Sequence, residues 1–79
     1  MEEMQEINSR QRVYGFLVAF IKKNGYSPSI REICKGTDLK STSSVYHHLM
    51  TLEIMGMIHM EEHKTRAISL LGYEFVKDR

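Results

Sequence analysis

The chain is short, moderately hydrophobic and almost neutral. Its 79 residues are 42 % hydrophobic, and eleven Lys and Arg against ten Asp and Glu give a formal net charge of +1. This length predicts one domain over residues 1–79, with a core over residues 9–71 and a tail over residues 72–79. The single Cys34 excludes an internal disulfide, and no apolar run reaches the ~18 residues that span a bilayer. These features favour a cytoplasmic protein without a membrane segment.

The charges are distributed unevenly along the chain. Residues 10–48 carry seven bases against two acids, whereas the rest carries four bases and eight acids. Such segregation can present a positive face to an anion even when the total charge is near zero. An ordinary solvated surface with uneven charge is the alternative, and charge alone leaves both interpretations open.

The first predicted helix begins at about Ser9 and ends at about Asn24. Val13 and Leu17 recur at the spacing of one helical face. Ser9 is a suitable N-cap, and Gly25 follows two lysines as at a helix C-terminus. We therefore expect an amphipathic helix with these bounds.

A short second helix is predicted after Pro28, because proline disfavours helical backbone in the residue before it. Ser29 and Glu32 have the spacing of a capping box, in which each side chain accepts a hydrogen bond from the backbone amide of the other. The helix should end near Gly36, and a tight connection over residues 36–38 should follow it.

The third predicted helix starts at Ser41 or Ser43 and runs to about Met55. Beyond it, residues 57–61 and 66–70 alternate like two strands that flank a polar turn. Three helices followed by a two-stranded hairpin is the winged helix-turn-helix arrangement. We therefore predict this mainly α fold with a small β component.

Four hydroxyl side chains, at residues 41–44, open the third helix. In a helix-turn-helix the second helix of the pair enters the major groove, and its N-terminal residues meet base edges. Short hydroxyl side chains let that end approach a duplex, and the free amides of a helix N-terminus favour phosphate. With Val45 and Leu49 turned inward, Tyr46 and His47 lie on the exposed face. The alternative is an ordinary surface helix whose N-terminus has more hydroxyl side chains than capping requires.

The histidines and the cysteine lack the spacing of a metal site. His47 and His48 diverge by roughly 100° on a helix and so rarely hold one ion together. No C-x-x-C motif occurs, and His59 and His63, although four residues apart, fall in a predicted strand and a polar turn and not on one helical face. We find no nucleophile–base pair and no glycine-rich phosphate loop. The sequence therefore predicts no metal, no cofactor, no small-molecule substrate and no enzyme activity.

An apolar segment closes the third helix. Methionines usually fill cores, yet Ile54 falls on the predicted exposed side, and methionine-rich surface suits adaptable protein contacts. We therefore predict a homodimer or partner surface at Ile54, Met55 and Met57. A rival hypothesis for the whole chain follows: a winged-helix protein-interaction module that uses this surface and residues 73–76 of the tail.

Several stretches in register carry a family resemblance. They are GYSPSIREIC at residues 25–34, LKSTS at residues 39–43, His48-Leu49 and Arg66-Ala67-Ile68. On these motifs, residues 10–71 resemble the N-terminal DNA-binding domain of the LexA repressor family, the regulators of the bacterial SOS response. The resemblance implies a bacterial, phage or mobile-element repressor that binds a palindromic operator in double-stranded DNA. Its third helix would read one half-site.

The resemblance also implies which residues contact DNA. Base contacts are implied for Ser41, Ser43, Ser44, Tyr46 and His47. Phosphate contacts are implied for Ser29, Arg31, Lys40, Lys64 and Arg66.

Some features depart from the family pattern. LexA proteins continue into a self-cleaving peptidase domain with an Ala-Gly scissile bond, and this chain has no Ala-Gly pair, so we expect a stand-alone regulator or an excised domain. Ile54-Met55 replaces residues that are usually charged, which favours a new dimer surface. Glu61-Glu62 replaces residues that are often basic, which weakens the wing as a phosphate clamp. Asp38 stands where glycine is common, and aspartate can replace glycine there if the backbone is left-handed.

Overall fold

The predicted winged helix-turn-helix architecture is confirmed. The computed structural model describes residues 2–62 and 66–72, with side chains from residue 8 onward. Residues 63–65 of the predicted turn over residues 62–65 and the tail beyond residue 72 lie outside this part. In chain order the elements are α1 (Glu2–Asn24), α2 (Ile30–Thr37), α3 (Thr42–Ile54), β1 (Ile58–Met60) and β2 (Ile68–Leu70). Within the described residues, no helix is long and apolar enough to cross a membrane.

Helix α1 is longer than its apolar pattern predicts. It begins at Glu2, so the expected start at Ser9 is wrong, and Ser9 lies inside the helix. Residues 2–6 are Glu, Met and Gln, residue types of high helix propensity, which favours a helix that continues N-terminal of Ser9. The C-terminus is as predicted: Gly25 follows with φ of 82°, and its amide donates to the carbonyl of Ile21 at 2.8 Å.

Every helix and both strands contribute to one core. The buried apolar side chains are Val13, Leu17, Ile33, Val45, Leu49, Leu52, Ile58 and Ile68. The helices contact one another, and β1 packs against α3. Helix α2 comes close to α1 at Gly36, where a Cβ atom would lie only 2.6 Å from Cζ of Phe16. The glycine therefore sets how closely these two helices approach.

Both ends of α2 use the residues that the sequence indicated. The capping box is present, with the Ser29 amide donating to Glu32 Oε1 at 2.8 Å and the Glu32 amide donating to Ser29 Oγ at 3.2 Å. Helix α2 ends at Thr37, and Asp38 adopts left-handed backbone with φ of 65°. This turn directs the chain into the N-terminus of α3.

The wing is an antiparallel pair in which His59 lies opposite Ser69. Its strands have three residues each, shorter than predicted, although flanking backbone bonds extend the pairing by one residue at each end. Both outer edges are tied to the helical part. The Met60 amide donates to Glu53 Oε2 at 3.1 Å, and the Ile68 amide donates to Ser27 Oγ at 3.2 Å. The wing is therefore held by side chains from α3 and from the turn before α2.

Candidate nucleic-acid interface

The N-terminus of α3 is an exposed, hydroxyl-rich helix end. Ser41 is the N-cap, and its Oγ accepts from the amides of Ser43 at 3.1 Å and Ser44 at 3.4 Å. The capping interpretation is therefore right for Ser41. Ser43 and Ser44 are exposed, as is Thr42 between the N-cap and them. Their hydroxyls stand at the positive end of the helix, where a polar or anionic group is favoured.

The two faces of α3 differ as the periodicity predicts. Val45 and Leu49 are buried as expected, and His48 between them is buried as well. On the opposite side Tyr46 keeps 51 % of its surface exposed, and His47 is exposed as well. The five residues with predicted base contacts therefore fall together on the exposed first turns of α3.

A groove of about 930 Å³ runs beside this face, between the start of α2, the helix α3 and the wing. Among its lining residues are Ser29, Arg31, Tyr46, Glu53, His59 and Glu62. The groove thus brings two of the residues with predicted phosphate contacts next to Tyr46. Lys40, a third, is exposed immediately before the N-cap of α3, and Lys64 lies outside the described residues.

The wing side of the groove is acidic. Glu61 and Glu62 are exposed, and Glu53 Oε2 lies 3.5 Å from Nδ1 of His59 while it accepts from the Met60 amide. The groove therefore has a cation at its α2 side and carboxylates at its wing side. An anionic ligand is favoured near Arg31 and disfavoured near the described end of the wing.

Arg66 holds a position that the sequence does not reveal. Its Nη1 donates to Glu32 Oε1 at 2.8 Å and to the Ser27 carbonyl at 2.9 Å, and its Nη2 donates to Glu32 Oε2 at 3.2 Å. The guanidinium also lies over the Tyr26 ring, 4.8 Å from its centroid. The phosphate contact implied for Arg66 stays a prediction, and in the structure the charge of Arg66 lies against the Glu32 carboxylate.

The Arg66 contact changes the pKa of both partners. The hydrogen bond from Arg66, with that from the Ser29 amide, lowers the pKa of the Glu32 carboxyl. The bond to Glu32 in turn raises the pKa of Arg66. Both side chains are well over a third exposed, so solvent screens the pair. Glu32 and Arg66 are 34 residues apart, and no local pattern connects them.

A second cationic side chain, that of Arg12, also makes an intramolecular hydrogen bond. Arg12 Nη1 donates to the Thr37 carbonyl at 3.2 Å, at the end of α2. This bond satisfies a carbonyl that the helix leaves without an intrahelical partner. Arg12 is nevertheless an exposed residue and keeps its charge, so this bond fixes the position of the side chain without removing it from the positive surface.

The predicted dimer surface is only partly open. Ile54 is 84 % exposed and Met55 is 53 % exposed, whereas Met57 is half-buried and packs against the core. A smaller groove of about 220 Å³, lined by Met55 and Met57 and by residues of α1, adjoins them. The exposed apolar surface is therefore centred on the C-terminal turn of α3.

The described residues contain no group of three or more His, Cys, Asp or Glu that could hold a metal ion. The His47 and His48 rings are 5.7 Å apart in an edge-on arrangement, and only His47 is exposed. Of the two other histidines, His59 is exposed and His63 lies outside the described residues.

Three helices, an antiparallel wing and an exposed polar end on the third helix define the class of winged helix-turn-helix domains. A family model described as the LexA DNA binding domain matches residues 4–67. The chain belongs to this family, and the resemblance found in its motifs is confirmed.

The most similar relatives include bacterial repressors. The LexA repressor of Clostridium botulinum strain Hall is 49 % identical over 65 residues, which cover 82 % of this chain and 32 % of that protein. The LexA repressor of Clostridium perfringens strain SM101 is 44 % identical over 64 residues, or 81 % of this chain and 32 % of that protein. The chain therefore spans about a third of the length of these relatives.

Proposed function

We propose that the chain is a sequence-specific DNA-binding domain of a transcriptional repressor. In this proposal α3 enters the major groove of an operator half-site, and Ser41, Ser43, Ser44, Tyr46 and His47 meet base edges. The observation that carries it is the exposed, hydroxyl-rich N-terminus of α3, followed by Tyr46, which lines one groove with Ser29 and Arg31 of the start of α2. Hydroxyl, phenol and imidazole groups can each hydrogen-bond the donors and acceptors in that groove.

Phosphate contacts would flank the base contacts. Ser29 and Arg31 stand at the start of α2, where helix amides favour an anion, and Lys40 precedes the N-cap of α3. Lys64 of the wing completes the proposed set. These contacts would fix the orientation of α3 on the duplex, whereas the base contacts would select the sequence.

We further propose that the domain acts as a homodimer on a palindromic operator. Two α3 helices would then enter successive major grooves, about 34 Å apart. The exposed side chains of Ile54 and Met55 offer an apolar contact between the two copies. The protein would be a regulator rather than an enzyme. It would work in the cytoplasm of a bacterial cell, encoded by the chromosome, a phage or a mobile element.

Selection from a pool of random duplexes tests the central proposal. The wild-type chain should enrich a palindromic motif, and it should bind the enriched duplex more tightly than a scrambled one at two salt concentrations. Ser43→Ala should reduce this preference at one base position by about 1–3 kcal/mol. Ser9→Ala, in α1, is the matched control and should leave the preference unchanged. A chain that binds both duplexes equally would contradict sequence-specific recognition.

The Ile54 surface supports one rival function, that of a protein-interaction module. An interaction module of this kind has no requirement for duplex DNA. The same titration separates the two hypotheses, because only the repressor proposal predicts binding to duplex DNA that weakens with salt and favours one sequence.

A further inference from the structure

Arg66 connects the wing to the turn before α2. Its two terminal nitrogens donate to both carboxylate oxygens of Glu32, and one of them also donates to the Ser27 carbonyl. We call this set, Arg66 with Ser27 and Glu32, the wing tether. Three hydrogen bonds with planar, paired geometry fix the guanidinium more closely than a single contact would.

The wing tether ends on the N-cap of α2. Glu32 Oε1 accepts from Arg66 and also from the Ser29 amide, so one oxygen serves both the tether and the capping box. A second bond runs parallel to the tether, because the Ile68 amide donates to Ser27 Oγ. Strand β2 therefore holds the backbone from which Ser29 and Arg31 project.

The same contacts make Arg66 a poor phosphate ligand. Its charge is balanced by Glu32, three hydrogen bonds engage its two terminal nitrogens, and the Tyr26 ring covers one face. A phosphate at Arg66 would stand near the Glu32 carboxylate and be repelled by it. By contrast Arg31, one residue before Glu32, lines the groove beside Tyr46.

We propose that Arg66 and Glu32 are positioning residues for the DNA interface, which orient the start of α2 and the wing relative to α3. This inference rests on the proposed DNA binding. It departs from the phosphate contact that the family resemblance implies for Arg66. Arg66 acts through the residues of α2 that it holds in place, not through the duplex.

Four single variants separate positioning from direct phosphate contact. Arg66→Lys keeps the charge and loses the planar fork. Arg66→Met removes the charge, and Glu32→Gln keeps an amide oxygen for the Ser29 amide while it weakens the ion pair. Glu62→Gln is the matched control, because it removes an exposed carboxylate of the same groove outside the wing tether. Affinity is measured at several salt concentrations for a duplex enriched by the wild type and for a scrambled duplex.

The positioning role predicts that Arg66→Lys and Glu32→Gln each weaken binding to the enriched duplex, by about fivefold if the coupling is that of a strong exposed pair. Neither should change the salt dependence, and the preference over the scrambled duplex should fall. The double variant of Arg66→Lys and Glu32→Gln should bind the enriched duplex no more weakly than either single variant. Glu62→Gln should instead strengthen binding to both duplexes.

Direct phosphate contact predicts the opposite pattern. Arg66→Lys would then bind almost as the wild type, and Glu32→Gln would bind more tightly because a repelling carboxylate is lost. Arg66→Met would lower the slope of log affinity against log salt by about 0.9. Any of these three results overturns the positioning role.

Thermal melts followed by circular dichroism give the temperature range in which each variant unfolds. All binding comparisons are made below that range. The failure of the proposed function has a separate signature, since the wild type itself would then prefer no duplex. A wild type that prefers one sequence, with Arg66→Lys unaffected, removes only the positioning role.

Discussion

Gly36 and Gly15 form a matched pair that tests the packing of the helices. Both glycines lie within helices, so alanine at either position gains helix propensity, by up to about 1 kcal/mol in a helix interior. At Gly15 an added Cβ has no heavy atom within 4 Å, and Gly15→Ala should stabilise the fold by about that amount. At Gly36 the added Cβ would overlap the ring of Phe16, with Cζ 2.6 Å away.

The overlap at Gly36 should outweigh the gain in propensity. Insertion of one carbon into a packed site typically costs about 1–3 kcal/mol, through off-rotamer side chains and backbone shifts. The gain from alanine is also smaller here, because Gly36 is in the last turn of α2. We therefore expect Gly36→Ala to lower the free energy of unfolding by about 1–2 kcal/mol, which leaves it about 2–3 kcal/mol below Gly15→Ala.

Urea unfolding followed by circular dichroism measures both variants. The midpoints should move in opposite directions with little change in slope, since the surface exposed on unfolding is almost the same. Phe16→Leu should relieve the overlap and make the double variant with Gly36→Ala more stable than additivity predicts. If Gly36→Ala is as stable as Gly15→Ala, then α1 and α2 do not approach as closely as the structure describes.

The remaining predictions concern the interface and its supports. His47→Ala should change base preference at one position by about 1–3 kcal/mol, as shown by selection profiles of the two proteins. Lys40→Ala should lower the salt slope by about 0.9 on enriched and scrambled duplexes alike, whereas Lys35→Ala, in the last turn of α2, should leave the slope close to that of the wild type. Ile54→Glu should dissociate the proposed dimer in sedimentation, and a wild type that stays monomeric with and without DNA would remove that surface. Because the folded pKa of Glu32 is lowered, its contribution to stability is complete above the unfolded value of about 4.3 and is lost as pH falls through the folded value. Unfolding titrations across this acidic range should show a loss of stability that is absent in Glu32→Gln.

Local signals predicted the helix boundaries that depend on neighbouring residues. Three such signals are the capping box of Ser29 and Glu32, the N-cap Ser41 and the glycine after α1. Each acts on backbone groups at most four residues away, so a short stretch of sequence is enough to predict its effect. The start of α1 was wrong for a related reason. Ser9 has the chemistry of a cap, but residues 2–6 favour helix strongly enough to continue it past that position.

Contacts between distant residues could not be predicted in this way. The Glu32–Arg66 pair joins residues 34 apart, and the overlap that requires Gly36 depends on Phe16 in another helix. Such contacts depend on how the elements pack, and the fold class alone does not specify them. The exposed face of α3 was predictable because helical periodicity assigns inward and outward positions from the sequence. The half-burial of Met57 was not, because it depends on the packing of the chain between α3 and β1.

The pairing of Arg66 with Glu32 bears on how this nearly neutral chain would bind DNA. If Arg31, Lys40 and Lys64 are the cations left for phosphates, one copy would have a salt slope of only roughly −3. Sequence-independent affinity would then be low. Discrimination would rest on the hydroxyl, phenol and imidazole groups at the start of α3, each limited to a few kcal/mol. A second copy on the same duplex adds its own base and phosphate contacts at a high effective concentration. The proposed dimer surface at Ile54 and Met55 is therefore a requirement for useful affinity in this proposal, since the charge of one domain is too small to supply it.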